Sequence, residues 1–153
     1  MLFLILSVIV FSLIVLFIPK RMSGIEIITT TLFALYLEAI VNVFLDFKYD
    51  LYGYFSKGVD WRGLLYGFGI FGQVSIVYLN YFPYNKKLMS KVIYIVGWSV
   101  FAYIYELLFL WSKTYYYNGW KYWYSLILYP ILYLILRSFH TYVLFLLKKY
   151  QQS

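Results

Sequence analysis

The sequence predicts an all-α fold: a polytopic membrane protein built as a bundle of about five transmembrane helices. Two observations carry that expectation. Of the 153 residues, 64% are apolar and only 12% are charged, whereas a water-soluble domain holds about 25% charged and about 45–50% apolar residues. The apolar residues also gather into five runs near the roughly 20 residues that a helical span requires. These are Leu2–Ile18, Ile25–Leu45, Gly63–Phe82, Val92–Trp111 and roughly Tyr122–Leu147. With no linker and no internal repeat between the runs, residues 1–153 read as a single domain.

The first run stops at Pro19, which cannot continue a helix, and Lys20 and Arg21 follow it. A cleaved signal peptide has its positive charge before the apolar stretch. The order here favours an uncleaved anchor with its N-terminus outside. In the second run Thr31, Glu38 and Asn42 share one helical face, since steps of seven and four residues nearly close whole turns. The third run is rich in glycine, and Gly63 and Gly67 form a small-xxx-small pair that lets helices approach closely. Tyr66, Gln73 and Asn80 recur on one face of the same run, and Gln73 requires a partner there. The fourth run contains Glu106. The fifth carries Pro130, a site for a kink, and places Tyr133, Arg137 and His140 on one face. Arg137 is expected to snorkel toward the cytoplasm.

Loop charges set the orientation. Five spans place Lys20, Arg21, Lys86, Lys87, Lys91, Lys148 and Lys149 on one side, with no acid beside them. Lys48, Lys57, Arg62, Lys113 and Lys121 fall on the other, offset by Asp46, Asp50 and Asp60. The positive-inside rule puts the first set in the cytoplasm, which gives an outer N-terminus and a cytoplasmic C-terminus. The net charge of +7 is thereby read as topology. No basic groove or reader motif points to nucleic acid. The outer loops are aromatic, with Tyr49, Tyr52, Tyr54, Phe55 and Trp61 in one and Tyr115, Tyr116, Tyr117, Trp120, Tyr122 and Trp123 in the other. Such rings form an interfacial belt, or a stacking platform for a sugar or lipid headgroup.

The candidate site centres on two acids within apolar runs. An acidic side chain at mid-helix in a bilayer costs about 2.5–3.5 kcal/mol on an insertion scale, so such residues face the protein interior and often mark function. Glu38 lies roughly 12 Å and Glu106 roughly 9 Å below the same outer boundary at about 1.5 Å per residue. Glu38, Asn42, Gln73, Glu106 and Arg137 form the candidate intramembrane polar site. Asp46, Asp50, Asp60, Trp61 and Trp120 form a candidate outer binding face. Glu26, one turn inside its helix, is given no chemistry beyond a favourable place near the helix N-terminus.

Cysteine is absent, which excludes disulfides and thiolate chemistry. A single histidine makes a weak metal site, so no metal or cofactor is expected. No HExxH, GxSxG, phosphate-cradling loop or nucleotide fingerprint occurs, and no catalytic residue is assigned.

Several blocks of the sequence resemble those of a known group of proteins. They are 45–55 (Leu-Asp-Phe-Lys-Tyr-Asp-Leu-Tyr-Gly-Tyr-Phe), 58–61 (Gly-Val-Asp-Trp), Leu79-Asn80-Tyr81-Phe82-Pro83, Tyr105-Glu106, Asn118-Gly119-Trp120, Tyr124-Ser125 and Tyr129-Pro130. From about Glu26 onward the chain resembles small multi-pass membrane proteins of spore-forming Gram-positive bacteria. The resemblance implies a bacterial plasma membrane and a five-span bundle, and brings no activity, substrate or catalytic residue. The expected function is non-enzymatic: a binding or accessory subunit with an aromatic, acidic outer face, in contact with lipid and with a protein partner or further copies of itself. The competing readings are a proton- or cation-coupled transporter using Glu38 and Glu106, and an enzyme on a lipid-linked substrate using Glu106 or Asp60 as general acid or base.

Overall fold

The computed structural model describes residues 1–58 and 60–151; Val59 of the Gly-Val-Asp-Trp block lies outside them. Within them the chain is mostly helical, with a two-stranded ribbon at one end. Helix α1 spans Leu2–Phe17 and ends where Ile18 turns extended (φ −66°, ψ 141°), the conformation imposed on a residue before proline. Helix α2 spans Gly24–Asn42. It opens on a capping box in which the Ser23 hydroxyl accepts from the Glu26 N–H and the Glu26 carboxylate accepts from the Ser23 N–H, so two otherwise orphaned backbone donors are satisfied. A wider π-helical turn, Val43–Lys48, continues α2.

Helix α3, Trp61–Asn80, is composite. A 3-10 turn (Trp61–Gly63) and one α-turn (Leu64–Tyr66) lead into a π-helical stretch (Gly67–Phe71), and regular helix resumes over Gly72–Asn80. Helix α4 spans Leu88–Trp111. Helix α5, Tyr122–Gln151, runs through Pro130 as one assigned helix. Four runs are long and apolar enough to cross a membrane: Gly24–Lys48, Trp61–Asn80, Leu88–Trp111 and Tyr122–Tyr150. The expected first span comes out shorter, because the Pro19 stop leaves α1 only 16 residues.

The helices form a closed ring. α1 packs on α3, α3 on α2, α2 on α5, and α5 on α4. Side chains then join α4 back to α1: the Phe3 and Phe109 rings lie 5.0 Å apart, Phe11 and Tyr105 lie 5.5 Å apart, and the Tyr105 hydroxyl donates to Ser7 Oγ at 2.6 Å. Glycines let α3 sit tightly between its neighbours, although not through the expected Gly63–Gly67 pair. Gly63 faces open space. A Cβ on Gly69 would meet Val8 of α1 at 2.6 Å, and one on Gly67 would meet the Glu38 carboxylate of α2 at 3.3 Å.

Two clusters fill the ring. One centres on Tyr78, Leu79, Tyr133 and Leu136, the other on Leu4, Phe11, Tyr66, Ile70 and Phe109. Tyr78 is wholly buried, with the rings of Tyr133, Tyr94 and Trp98 at 4.6, 5.6 and 5.8 Å. Such ring pairs contribute about 0.5–1.5 kcal/mol each beyond area burial. The outer helix faces are apolar instead: Ile28 and Leu32 on α2, Ile93 and Val96 on α4, and Leu126 and Ile127 on α5 are exposed.

The aromatic loops after α2 and α4 pair as an antiparallel ribbon that the sequence did not predict. Strand β1 is Tyr52–Tyr54 and β2 is Tyr115–Tyr117, with Tyr52 opposite Tyr117, Gly53 opposite Tyr116 and Tyr54 opposite Tyr115. Gly53 is required because the Tyr116 ring occupies the space of a Cβ. Strand alternation then turns Tyr52, Tyr54, Tyr115 and Tyr117 toward the bundle.

Candidate functional site

The ribbon covers one end of a cavity of about 170 Å³ that all five helices help to line. Glu38 and Glu106 both face it, as do Asn42, Tyr52, Tyr54, Trp120, Ser125 and Tyr129. The two glutamates lie 68 residues apart in the sequence, on α2 and α4, but are brought to one chamber by the ring order.

Glu106 is 6% exposed and thoroughly solvated by hydroxyls. It accepts from Tyr117 Oη at 2.5 Å, Tyr129 Oη at 2.7 Å and Ser125 Oγ at 2.9 Å. Ser125 Oγ in turn accepts from Trp120 Nε1 at 2.8 Å. Glu38 is served more sparsely. Its Oε1 accepts from Asn42 Nδ2 at 2.5 Å, and Asn42 Oδ1 accepts from Tyr52 at 2.9 Å and from Tyr54 at 3.4 Å. The other oxygen, Oε2, lies against Gly67 and has no hydrogen-bond donor among the described residues. Tyr52 meets Trp120 edge-on at 5.5 Å, so one chain of polar and aromatic contacts runs from Glu38 to Glu106.

The ribbon tyrosines remain hydrogen-bond donors. Burial holds the hydroxyls of Tyr52, Tyr54 and Tyr115 well above their ordinary pKa. They therefore solvate the glutamates without adding charge. No Lys, Arg or His lines the cavity among the described residues.

A second depression, of about 330 Å³, opens between α2 and the start of α3. Asp46, Asp60, Gly58 and Gly63 line it, and it shares Glu38, Asn42 and Tyr54 with the first cavity. Glu38 and Asn42 thus stand between the two. The π-helical stretches Val43–Lys48 and Gly67–Phe71 flank this point, and such bulges are frequent at functional sites.

Of the expected polar residues, Glu38, Asn42 and Glu106 come together and Gln73 and Arg137 do not. Gln73 donates to Ser12 Oγ of α1 at 2.8 Å, away from the cavity, on the same face of α3 from which Asn80 bonds Pro19 and Arg21. Arg137 lies at the far end, its guanidinium 5.6 Å from the Phe82 ring centroid. The outer acids divide similarly. Asp50 pairs with Lys57 and accepts from Asn118 Nδ2 at 2.9 Å. Asp60 is gripped by Arg62, and those hydrogen bonds hold its carboxyl well below the usual carboxylate range. Asp46 is buried in the wall of the second depression. Trp120 faces the cavity, while Trp61 is 70% exposed at the surface.

The far end holds a constellation that sequence reasoning missed. His140 of α5 is 2% exposed. Its Nδ1 shares a hydrogen bond of 2.5 Å with the Tyr84 hydroxyl, and its Nε2 shares one of 2.9 Å with Glu26 Oε2. Ser23-x-x-Glu26 is a legible capping signature, but nothing in the sequence says which helix faces it.

Compared with protein-family models, curated proteins and solved structures, the chain matches none.

Proposed function

We propose that the protein is an integral multi-pass protein of a bacterial plasma membrane, of the kind that its sequence blocks resemble. Its N-terminus is outside and its C-terminus cytoplasmic, and it acts without catalysis by binding a small ligand in the chamber beneath the ribbon. One observation carries the binding reading: a cavity of about 170 Å³ holds two carboxylates among aromatic walls with no cationic side chain in its lining. Ligand sites have this character, apolar and concave with a few convergent polar groups. The membrane reading is supported by four long apolar helices whose outer faces expose Ile, Leu and Val. Asp60, a candidate general base in an enzyme, is already committed to Arg62, which favours binding over catalysis.

The test has two parts. The chain lacks cysteine, so Lys57→Cys and Lys86→Cys each give one labelling site. In intact cells an impermeant maleimide is expected to label the first and spare the second; the reverse pattern inverts the topology. For binding, a small-molecule fragment panel is expected to raise the melting temperature of the purified protein in nanodiscs. Ala102→Phe, which fills the cavity, is expected to abolish those shifts. A panel with no effect on the wild type counts against a ligand chamber.

A cation-coupled transporter is the second reading. It is favoured by the position of Glu38 between the chamber and the second depression, which offers a route from outside. Intramembrane carboxylates commonly relay ions or protons in transporters. Liposome flux unchanged by Glu38→Gln with Glu106→Gln would remove the pair from any transport role.

A further inference from the structure

We infer that the chamber takes a small organic ammonium ion, with Glu38 as its counter-ion and aromatic rings as its walls. This rests on the chamber being a ligand site, as proposed above, and adds the chemical class of the ligand.

Size comes first. An engineered cavity of about 150 Å³ admits benzene, so a chamber of about 170 Å³ admits one ring or a comparable alkyl group with a single charged head. Charge comes next. Glu106 already accepts three hydroxyl hydrogen bonds, which nearly fills the roughly four lone-pair positions of a carboxylate. Glu38 has one donor, Asn42, and its Oε2 has none among the described residues. Glu38 lines both spaces, and Oε2 lies against Gly67 of the second depression, so an ammonium head seated where the two spaces meet supplies both a donor for Oε2 and the missing positive charge. A bare metal ion fits poorly, since no group of three His, Cys, Asp or Glu side chains that could hold one exists among the described residues.

The walls favour the same class. Tyr54 and Tyr66, 4.5 Å apart between ring centroids, both line the chamber, and so does Tyr105. Aromatic faces attract cations through the ring quadrupole, most strongly where water is excluded. An anion would meet two carboxylates with no cationic side chain to receive it. A neutral alcohol of the same shape could donate to Oε2 but would bring no positive charge to balance the carboxylate.

The test uses the full-length protein in nanodiscs and three probes of one shape: benzylammonium, benzyl alcohol and benzoate. By calorimetry, benzylammonium is expected to bind about tenfold more tightly than benzyl alcohol, with benzoate weakest. Glu38→Gln keeps an oxygen for Asn42 and removes the charge. It is expected to weaken benzylammonium about tenfold and to leave benzyl alcohol within about twofold. The wild-type series stands even where the variant fails to fold. Equal affinity for the alcohol and the ammonium overturns the inference and leaves the chamber as an apolar binding site. Ammonium binding that ignores Glu38→Gln overturns the assignment of the counter-ion. If none of the three binds, the inference fails. The binding reading then survives only where other fragments still give shifts that Ala102→Phe removes.

Discussion

Each end of the bundle sets a carboxylate among polar partners from other helices, and the partners differ. At one end Glu26 meets His140, which meets Tyr84, and the same carboxylate caps α2 through Ser23. At the other, Glu106 meets three hydroxyls and Glu38 meets one amide. An imidazole can hold a proton and cancel a neighbouring negative charge. Hydroxyls and amides solvate a charge without cancelling it. Taking an ion out of water costs several kcal/mol even after relaxation, and an opposite charge offsets much of that cost. The Glu26 end therefore holds a group able to carry a balancing charge, whereas the ribbon end is hydrogen-bonded with no such group lining its cavity among the described residues. A cluster whose members satisfy one another serves as a fastener. An unbalanced one beside a cavity has a place for something else.

The largest expected effect tests how far Glu106 supports the ribbon end. Glu106→Ala leaves Tyr117, Tyr129 and Ser125 without their acceptor, at about 1–3 kcal/mol for each buried group left unpaired. A loss of about 3 kcal/mol or more is expected in denaturant unfolding from micelles. A loss below about 1 kcal/mol would mean that the hydroxyls find other partners, and that Glu106 is as free as Glu38 to serve a ligand.

Next in size is the fastener itself. His140→Phe strips Glu26 and Tyr84 of their shared partner and is expected to cost about 2 kcal/mol. A double-mutant cycle of His140→Phe with Glu26→Gln should show a coupling of about 1 kcal/mol or more. The corresponding cycle of Glu38→Gln with Asn42→Ala should stay near the roughly 0.6 kcal/mol average for polar contacts in membrane bundles. A larger coupling at Glu38 would reverse the contrast and make the ribbon end the more tightly fastened.

The two ends were unequally legible in the sequence. Helices and spans follow from apolar run length, and Glu38 with Asn42 follows from a four-residue step on one helix. The chamber itself was only half legible. Residue counting put Glu38 and Glu106 at one depth, but the ring order that faces them toward each other depends on which helices pack, and no local pattern encodes that. Gln73 found the partner it required on α1 rather than in the chamber, because which neighbour a helix face meets depends on the same packing order. The ribbon was missed because Tyr52–Tyr54 and Tyr115–Tyr117 are three-residue strands, too short for a visible alternation and 61 residues apart at their nearest ends. The Glu26–His140–Tyr84 cluster draws on α2, α5 and the α3–α4 link, and so left only the capping signature behind.

A smaller effect probes the space around Glu38. A Cβ at residue 67 would stand 3.3 Å from the Glu38 carboxylate, so Gly67→Ala must push that side chain aside. Modest overpacking of this kind costs about 1 kcal/mol. Ligand affinity should fall with it. Were affinity to hold while stability drops, Glu38 would not be the group that a ligand meets.

The smallest effect concerns the mouth of the second depression. Asp60 has its pKa lowered by the hydrogen bonds from Arg62. A carboxylate with a lowered folded-state pKa contributes stability above its unfolded value, about 3.9, and loses it only as pH falls through the lower folded value. Between pH 5 and pH 8 the Asp60–Arg62 pair is thus expected to stay constant, and Asp60→Asn to shift stability by the same small amount at both ends of that range. Any change of ligand affinity between pH 5 and pH 8 should therefore survive Asp60→Asn and disappear in Glu38→Gln. If Asp60→Asn instead flattens the pH curve, the charge that a ligand senses sits at the mouth rather than in the chamber. The imbalance that separates the two ends of the bundle would then belong to the surface.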